Sequence, residues 1–188
     1  YKNGSVSAFS NLFRFTMLYK KGGYWADTDL ICLKPFTYDK EIVIPTETND
    51  QYNDNVITSC FLKLPMKSKE ALEGITIQRK NKLKILNGEM QWGSGPSCVK
   101  TIVNKYNLQE YLLPWQGVCS CSWTHIESFL NSKYKKPNQK IINKFEEVPE
   151  EMVAIHLWNE IWRRNRLDKN GNFDPECFYE KLKKIHNI

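Results

Sequence analysis

Residues 19–36 read YKKGGYWADTDLICLKPF. A double glycine, Gly22 and Gly23, leads into an aromatic, strand-forming run that carries Asp27 and Asp29 one residue apart. Residues two apart on a strand point to the same side, so a strand running through YWADTDLICL turns Trp25, Asp27 and Asp29 one way. Two carboxylates this close repel each other unless a positive group sits between them. A hard divalent cation meets that need. Oxygen ligands select Mg2+ or Mn2+, which keep open positions for water and phosphate oxygens. The glycines let the backbone approach a ligand closely. D-x-D alone is a weak signal, and its plain alternative is a pair of aspartates in a solvated turn.

Upstream, SAFSNLFRFTMLYKK (7–21) predicts a helix. Phe9, Leu12, Phe13 and Thr16 fall at helical spacing, and Gly22 follows as a stop. Asn11 and Arg14, three apart, share another face of it. Downstream, EIVIP (41–45) and NVITSCFLKL (55–64) read as strands, and SKEALEGITIQRKNKL (68–83) as a helix. GSGPSCVKTIVNKY (93–106) predicts a tight turn and then a helix, with Pro96 in its first turn and Val99, Ile102, Val103 and Tyr106 as its apolar stripe. YLLPW (111–115) is a short extended segment, THIE (124–127) a capping box before a short helix, and MVAIHLW (152–158) a strand. LDKNGNFDPE (167–176) is a loop. Its Asp168, Asn170 and Asn172 hint at a calcium loop, but the glycine is misplaced for an EF-hand. Asp174 caps a last helix with Pro175 at its first position. Strands alternate with helices and no repeat or flexible linker intervenes, so residues 1–188 read as a single layered α/β domain.

The chain is 41% hydrophobic, enough for a sizeable core, and has no apolar run of membrane-spanning length. The start, YKNGSVSAFSNLF, has neither an initiating Met nor the charged and apolar regions of a signal peptide. The reading is of a fragment whose upstream part is absent. The net charge of +6 is concentrated in KLPMKSKEALEGITIQRKNKLK and KYKKPNQKIINK. Such lysines form a solvated surface or attract an anionic partner, a sugar nucleotide or a lipid surface. No aromatic single-strand platform or recognition helix accompanies them, so nucleic acid is not an expected partner. The six scattered cysteines point to a reducing compartment. Cys32 and Cys60 read as small buried hydrophobes. Cys119, Cys121 and His125 form only a weak zinc pattern.

The stretch FSNLFRFTMLYKKGGYWADTDLICLKPF (9–36) resembles the sugar-binding DXD region of glycosyltransferase family 32. The family pattern is roughly S-D-x-x-R, a spacer, then G-G-x-Y-x-D-x-D. Ser10, Arg14, Gly22, Gly23, Asp27 and Asp29 match it. GSGP (93–96) is similar to the family's TGP before a helix, and AIHLWNE (154–160) resembles a late H-x-W segment. Asn11 departs from the pattern's Asp, which contacts the donor sugar in relatives, and Trp25 stands where Tyr is common.

The resemblance implies a GT-A-type fold lacking its N-terminal strand–helix unit. It implies a metal-dependent, retaining transfer of a hexose or N-acetylhexosamine from a nucleotide-diphosphate sugar, foremost a UDP-sugar, to a glycan or glycolipid acceptor. Asp27 and Asp29 would hold Mn2+ or Mg2+, with His156 as a further ligand, and Arg14 would pair with donor oxygens. Ser10, Asn11, Gly23, Trp25, Ser94, Gly95, Pro96 and Trp158 would line the donor. On a strand, Ala154, His156 and Trp158 share one side, which sets a titratable ring beside an aromatic; a satisfied core histidine is the alternative. Trp92 and Trp115 are candidates for an acceptor groove, and Asp50, Asp54 and Glu89 for positioning the acceptor. The expected location is cytoplasmic, with peripheral membrane contact. Two other readings compete: a non-catalytic carbohydrate- or nucleotide-sugar-binding module, and a phosphotransferase or hydrolase of nucleotide sugars. The third lacks the second carboxylate cluster of a two-metal site.

Overall fold

The computed structural model describes residues 6–49, 54–87, 89, 94–119, 122–134 and 150–187. Its elements are α1 (Ser7–Lys21), β1 (Gly23–Ala26), β2 (Leu30–Cys32), β3 (Ile44–Asn49), β4 (Asp54–Ile57), β5 (Phe61–Leu64), α2 (Lys69–Leu86), α3 (Ser94–Tyr106), β6 (Leu112–Leu113), α4 (Glu127–Leu130), β7 (Ala154–His156), α5 (Asn159–Arg164) and α6 (Phe178–His186). This is a mixed α/β protein with small sheets. β1 pairs with β5 and β2 with β7, both antiparallel, while β3 lies between β4 and β6. The chain forms two compact units. The first holds Tyr1–Thr28, Phe36–Thr46 and Asn55–Pro114, and the second Asp29–Pro35, Glu47–Asp54 and Trp115–Ile188.

The first unit is built on α1. Phe15 and Leu18 are buried from its inner face, together with Ile75 of α2 and Val99, Ile102 and Val103 of α3. Burying a side chain of this size stabilises the fold by roughly 1.5–3 kcal/mol. Gly74 is what lets α2 come so near. A Cβ there would lie 2.3 Å from the Phe15 ring. Lys20 and Lys21 complement the carbonyl end of α1, which stops at Gly22 with φ at +65°. Gly22 also abuts the Met66 backbone nitrogen, 2.6 Å from where a Cβ would sit. Gly23, φ +81°, then swings the chain into β1, whose register pairs Gly23 with Leu64 and Ala26 with Phe61.

The second unit packs Phe129, Met152, Ile155, Trp162, Phe178 and Leu182 into its own core. β7 lies against β2, with Leu30 opposite His156 and Cys32 opposite Ala154. Asp174 Oδ2 accepts from the Ser132 backbone N–H and hydroxyl, fastening the loop before α6.

Several elements differ from the sequence reading. The strand expected through YWADTDLICL is interrupted. Asp27 N makes the last ladder-like bond, to Cys60 O, and Thr28 and Asp29 turn before β2 begins at Leu30. Asp and Thr favour such turns by competing for backbone hydrogen bonds. NVITSCFLKL is two strands parted at Thr58–Cys60, and EIVIP starts its strand only at Ile44. The strand in MVAIHLW shortens to Ala154–His156 because Trp158 takes a left-handed conformation, φ 54° and ψ 51°. No capping box forms at THIE. Ser122 instead accepts from Thr124 N, and α4 has no side-chain cap. Cys177, not Asp174, caps α6, accepting from Glu180 N. Cys60 is buried as expected, but Cys32 is exposed. None of the five described cysteines is in a disulfide. Cys121, Trp92, Asp50 and most of the lysine run KYKKPNQKIINK lie outside the described residues.

Candidate functional site

In the first unit a polar cluster sits where α1, β1 and the start of α3 meet. Arg14 is 3% exposed, yet its guanidinium is shared out among polar partners. Nη1 donates to Asn11 Oδ1 at 3.0 Å and Nη2 to Asp27 Oδ1 at 2.6 Å. The same Asp27 oxygen accepts the Trp25 indole N–H at 2.6 Å, and the guanidinium carbon lies 5.2 Å from the indole centroid. The tryptophan thus returns a donor as well as a stacking surface. Asp27 Oδ2 accepts no hydrogen bond among the described residues. Arg14 Nε, buried, likewise lacks a partner among them.

Helix α3 closes on this cluster at Gly95. A Cβ there would lie 2.7 Å from Ser59 Oγ, 2.9 Å from Asn11 Oδ1 and 3.4 Å from Arg14 Nη1. A glycine is what brings the helix start this near to buried polar groups. Pro96 follows it, half-buried, and Ser94 opens the helix. Ser10 is half-buried on α1 beside Asn11, whereas Gly23 is exposed. Ser59 was not legible as a site residue. Its one signal was a hydroxyl inside an apolar run, NVITSCFLKL, and that is common in strands.

The second unit holds the other aspartate. Asp29 Oδ2 lies 3.4 Å from His156 Nε2 and accepts the Asn159 backbone N–H at 2.9 Å. Register explains both contacts. Leu30 faces His156 across the β2–β7 ladder, Asp29 O accepts from Leu157 N, and the left-handed turn at Trp158 aims Asn159 N back at the carboxylate. Trp158 supplies no side-chain cap to α5, so Asp29 does that work. Burial pushes the Asp29 carboxyl upward, but the His156 hydrogen bond and charge and the Asn159 N–H outweigh it and hold it at about 2. Asp29 is therefore ionised at neutral pH. The His156 ring is buried, with its centroid 3.9 Å from that of Trp158. The expected neighbourhood of His156 and Trp158 is present, reached through a turn and not along one strand face. Asn159 went unforeseen because its contribution is a backbone group.

A family model described as the glycosyltransferase sugar-binding region containing DXD motif matches residues 3–53. The matched stretch is similar to such a region. No curated protein and no solved structure matches the chain. The matched stretch takes in α1, both glycines and the D-x-D, so Asn11, Arg14, Trp25, Asp27 and Asp29 all lie within it. Ser59, Gly95 and His156 lie beyond it in sequence.

Each D-x-D aspartate offers carboxylate oxygen, the donor that hard divalent ions take, and in the second unit Asp29 has the His156 imidazole beside it. Asp29 is already ionised, as a metal ligand must be. Asp27 keeps one oxygen outside its Arg14 and Trp25 bonds.

Proposed function

We propose that the protein is a metal-dependent retaining glycosyltransferase. It moves a hexose or N-acetylhexosamine from a nucleotide-diphosphate sugar, foremost a UDP-sugar, to a glycan or lipid-linked acceptor. The reading takes residues 1–188 as one GT-A-like domain working in the cytoplasm. The observation that supports it is the buried Arg14 clamped on Asp27 inside a stretch matched by a sugar-binding-region model, with a guanidinium N–H that has no partner among the described residues. A buried cation with a spare donor is costly unless something accepts from it, and a donor-sugar or phosphate oxygen does.

In this reading Asp27, Asp29 and His156 would hold Mn2+ or Mg2+. When bound, the ion supplies Lewis-acid stabilisation of charge on the departing nucleotide diphosphate. The protein's own residues do the rest. Arg14 orients donor oxygens by charge-assisted hydrogen bonds. Asn11, which both donates and accepts, meets a sugar hydroxyl, and Ser10 and Gly23 line the same donor. Trp25 offers a ring face while its N–H keeps Asp27 in position. The N-terminus of α3 turns the backbone N–H groups of Ser94 and Gly95 toward anionic donor atoms, and Pro96, which has no N–H, lines the donor beside them. Trp158 packs on His156 and excludes water from it.

The test is nucleotide release from a panel of UDP- and GDP-sugars with Mn2+, with and without oligosaccharide acceptors. Release that rises with acceptor supports transfer. Release indifferent to acceptor indicates hydrolysis, and donor binding without release indicates a binding module; either result overturns the proposal.

A further inference from the structure

Three chain segments bring polar atoms together in the first unit. Ser59 Oγ, Asn11 Oδ1 and Arg14 Nη1 all lie within 3.4 Å of the point a Gly95 Cβ would take. Asn11 and Arg14 come from α1, Gly95 from the first turn of α3, and Ser59 from the break between β4 and β5. Strand register delivers Ser59 there. Ala26 pairs with Phe61 and Asp27 N donates to Cys60 O, so Ser59 is the next residue along, beside Asp27. Ser59 is 6% exposed and Arg14 3%. The Ser59 hydroxyl makes no hydrogen bond among the described residues, and Arg14 Nε has no partner among them. Burying a hydroxyl and a guanidinium N–H in this way is unfavourable until something enters to meet them. Ser59 lies beyond the matched stretch, which ends at residue 53.

We infer that Ser59 is a donor-binding residue, and that the group it meets is a hydroxyl of the transferred sugar and not a phosphate. The inference rests on the transferase reading and deepens it, because it gives the sugar ring a contact from a third segment of the chain. Charge decides between the two groups. Asp27 already offsets Arg14 at 2.6 Å, and Asn11 and Ser59 are neutral. A phosphate carries negative charge and only accepts hydrogen bonds, so a cluster balanced in this way favours it little. A sugar hydroxyl both gives and takes. It can accept from the spare N–H of Arg14 and exchange a hydrogen bond with Ser59 Oγ, itself a donor and an acceptor. A pocket that meets a hydroxyl with buried polar groups also rejects a sugar lacking it, because those groups are then left unpaired. Ser59 thereby acts on which sugar is held, while the nucleotide is held elsewhere.

The experiment is calorimetry of the 188-residue chain with Mn2+, for wild type and Ser59→Ala. The probes are UDP alone, UDP-glucose, UDP-galactose and the N-acetylamino counterparts of these two sugars. Circular dichroism checks that the variant is folded. Wild type should bind at least one UDP-sugar more tightly than UDP. Ser59→Ala should weaken that UDP-sugar by about tenfold or more and UDP by less than about twofold. Deoxy analogues of the same sugar then identify the hydroxyl: removing the one that Ser59 meets should weaken binding to wild type and cost little more in Ser59→Ala. Equal weakening of UDP and UDP-sugar would mark Ser59 as packing against Gly95. Unchanged binding of both would remove it from the site. Either result overturns this inference and leaves the transferase reading standing, whereas a wild type that binds no UDP-sugar overturns both.

Discussion

Arg14 Nη2 stands 2.6 Å from Asp27 Oδ1, joining the middle of α1 to the end of β1 across thirteen residues. The arginine side chain is 4% exposed and the aspartate 25%. A pair this sheltered is not a surface ion pair. Removing one partner strands the other in a poorly solvated place.

Arg14→Ala should therefore lower stability by about 3 kcal/mol, read as a drop in urea midpoint. Arg14→Lys should recover part of the stability and little of the activity. A lysine places one charge, whereas the guanidinium serves Asn11 and Asp27 with separate nitrogens. Nucleotide release should fall at least about 100-fold in both variants. Full activity in Arg14→Lys would show that the fork geometry is immaterial.

Gly74→Ala pits two effects against each other. Alanine favours a helix interior by about 1 kcal/mol over glycine. Its Cβ, however, would lie 2.3 Å from the Phe15 ring, and overpacking costs about 1–3 kcal/mol. We expect net destabilisation, largely relieved by Phe15→Leu in the double variant. A melting temperature that rises in Gly74→Ala alone would mean α1 and α2 are not so tightly packed.

Gly95→Ala should act differently, because its neighbours are polar site groups, not core. Stability should fall by about 1–3 kcal/mol and the Kd for UDP should rise about tenfold, as buried Ser59 and Asn11 are displaced. Combining it with Ser59→Ala should restore part of the affinity. Calorimetry showing UDP affinity unmoved would remove the α3 start from the site.

Asp29 yields a pH prediction. Its carboxyl is held at about 2 against an ordinary 3.8. The folded value is depressed, so the stabilisation is complete above 3.8 and is lost as pH falls through about 2. In His156→Gln the hydrogen bond and charge of the imidazole go, and the carboxyl should titrate nearer 3.8. Carbon-detected NMR of the metal-free protein reads both midpoints. An unchanged midpoint in the variant would separate His156 from Asp29.

What the residues disclosed in advance was local. The limits of α1 followed from apolar spacing and Gly22, because helix periodicity and a glycine stop are properties of adjacent residues. The D-x-D stood out for the same reason. The turn at Thr28–Asp29 did not, since alternation looks alike whether or not a strand runs on through it. Trp158 was expected on a strand face because no sequence pattern marks a non-glycine residue at positive φ. Ser59 and Gly95 met Asn11 only through packing of distant segments, and Asn159 contributes an N–H that every residue but proline has.

The claim beneath all of this is that the D-x-D carboxylates grip a divalent ion against a nucleotide diphosphate. Isothermal calorimetry of a UDP-sugar into the protein measures it directly, with Mn2+ and then with chelator, for wild type and for Asp29→Ala. The account predicts binding that needs Mn2+ and vanishes in Asp29→Ala. Affinity that is equal with and without the ion, or untouched by loss of that carboxylate, would contradict it.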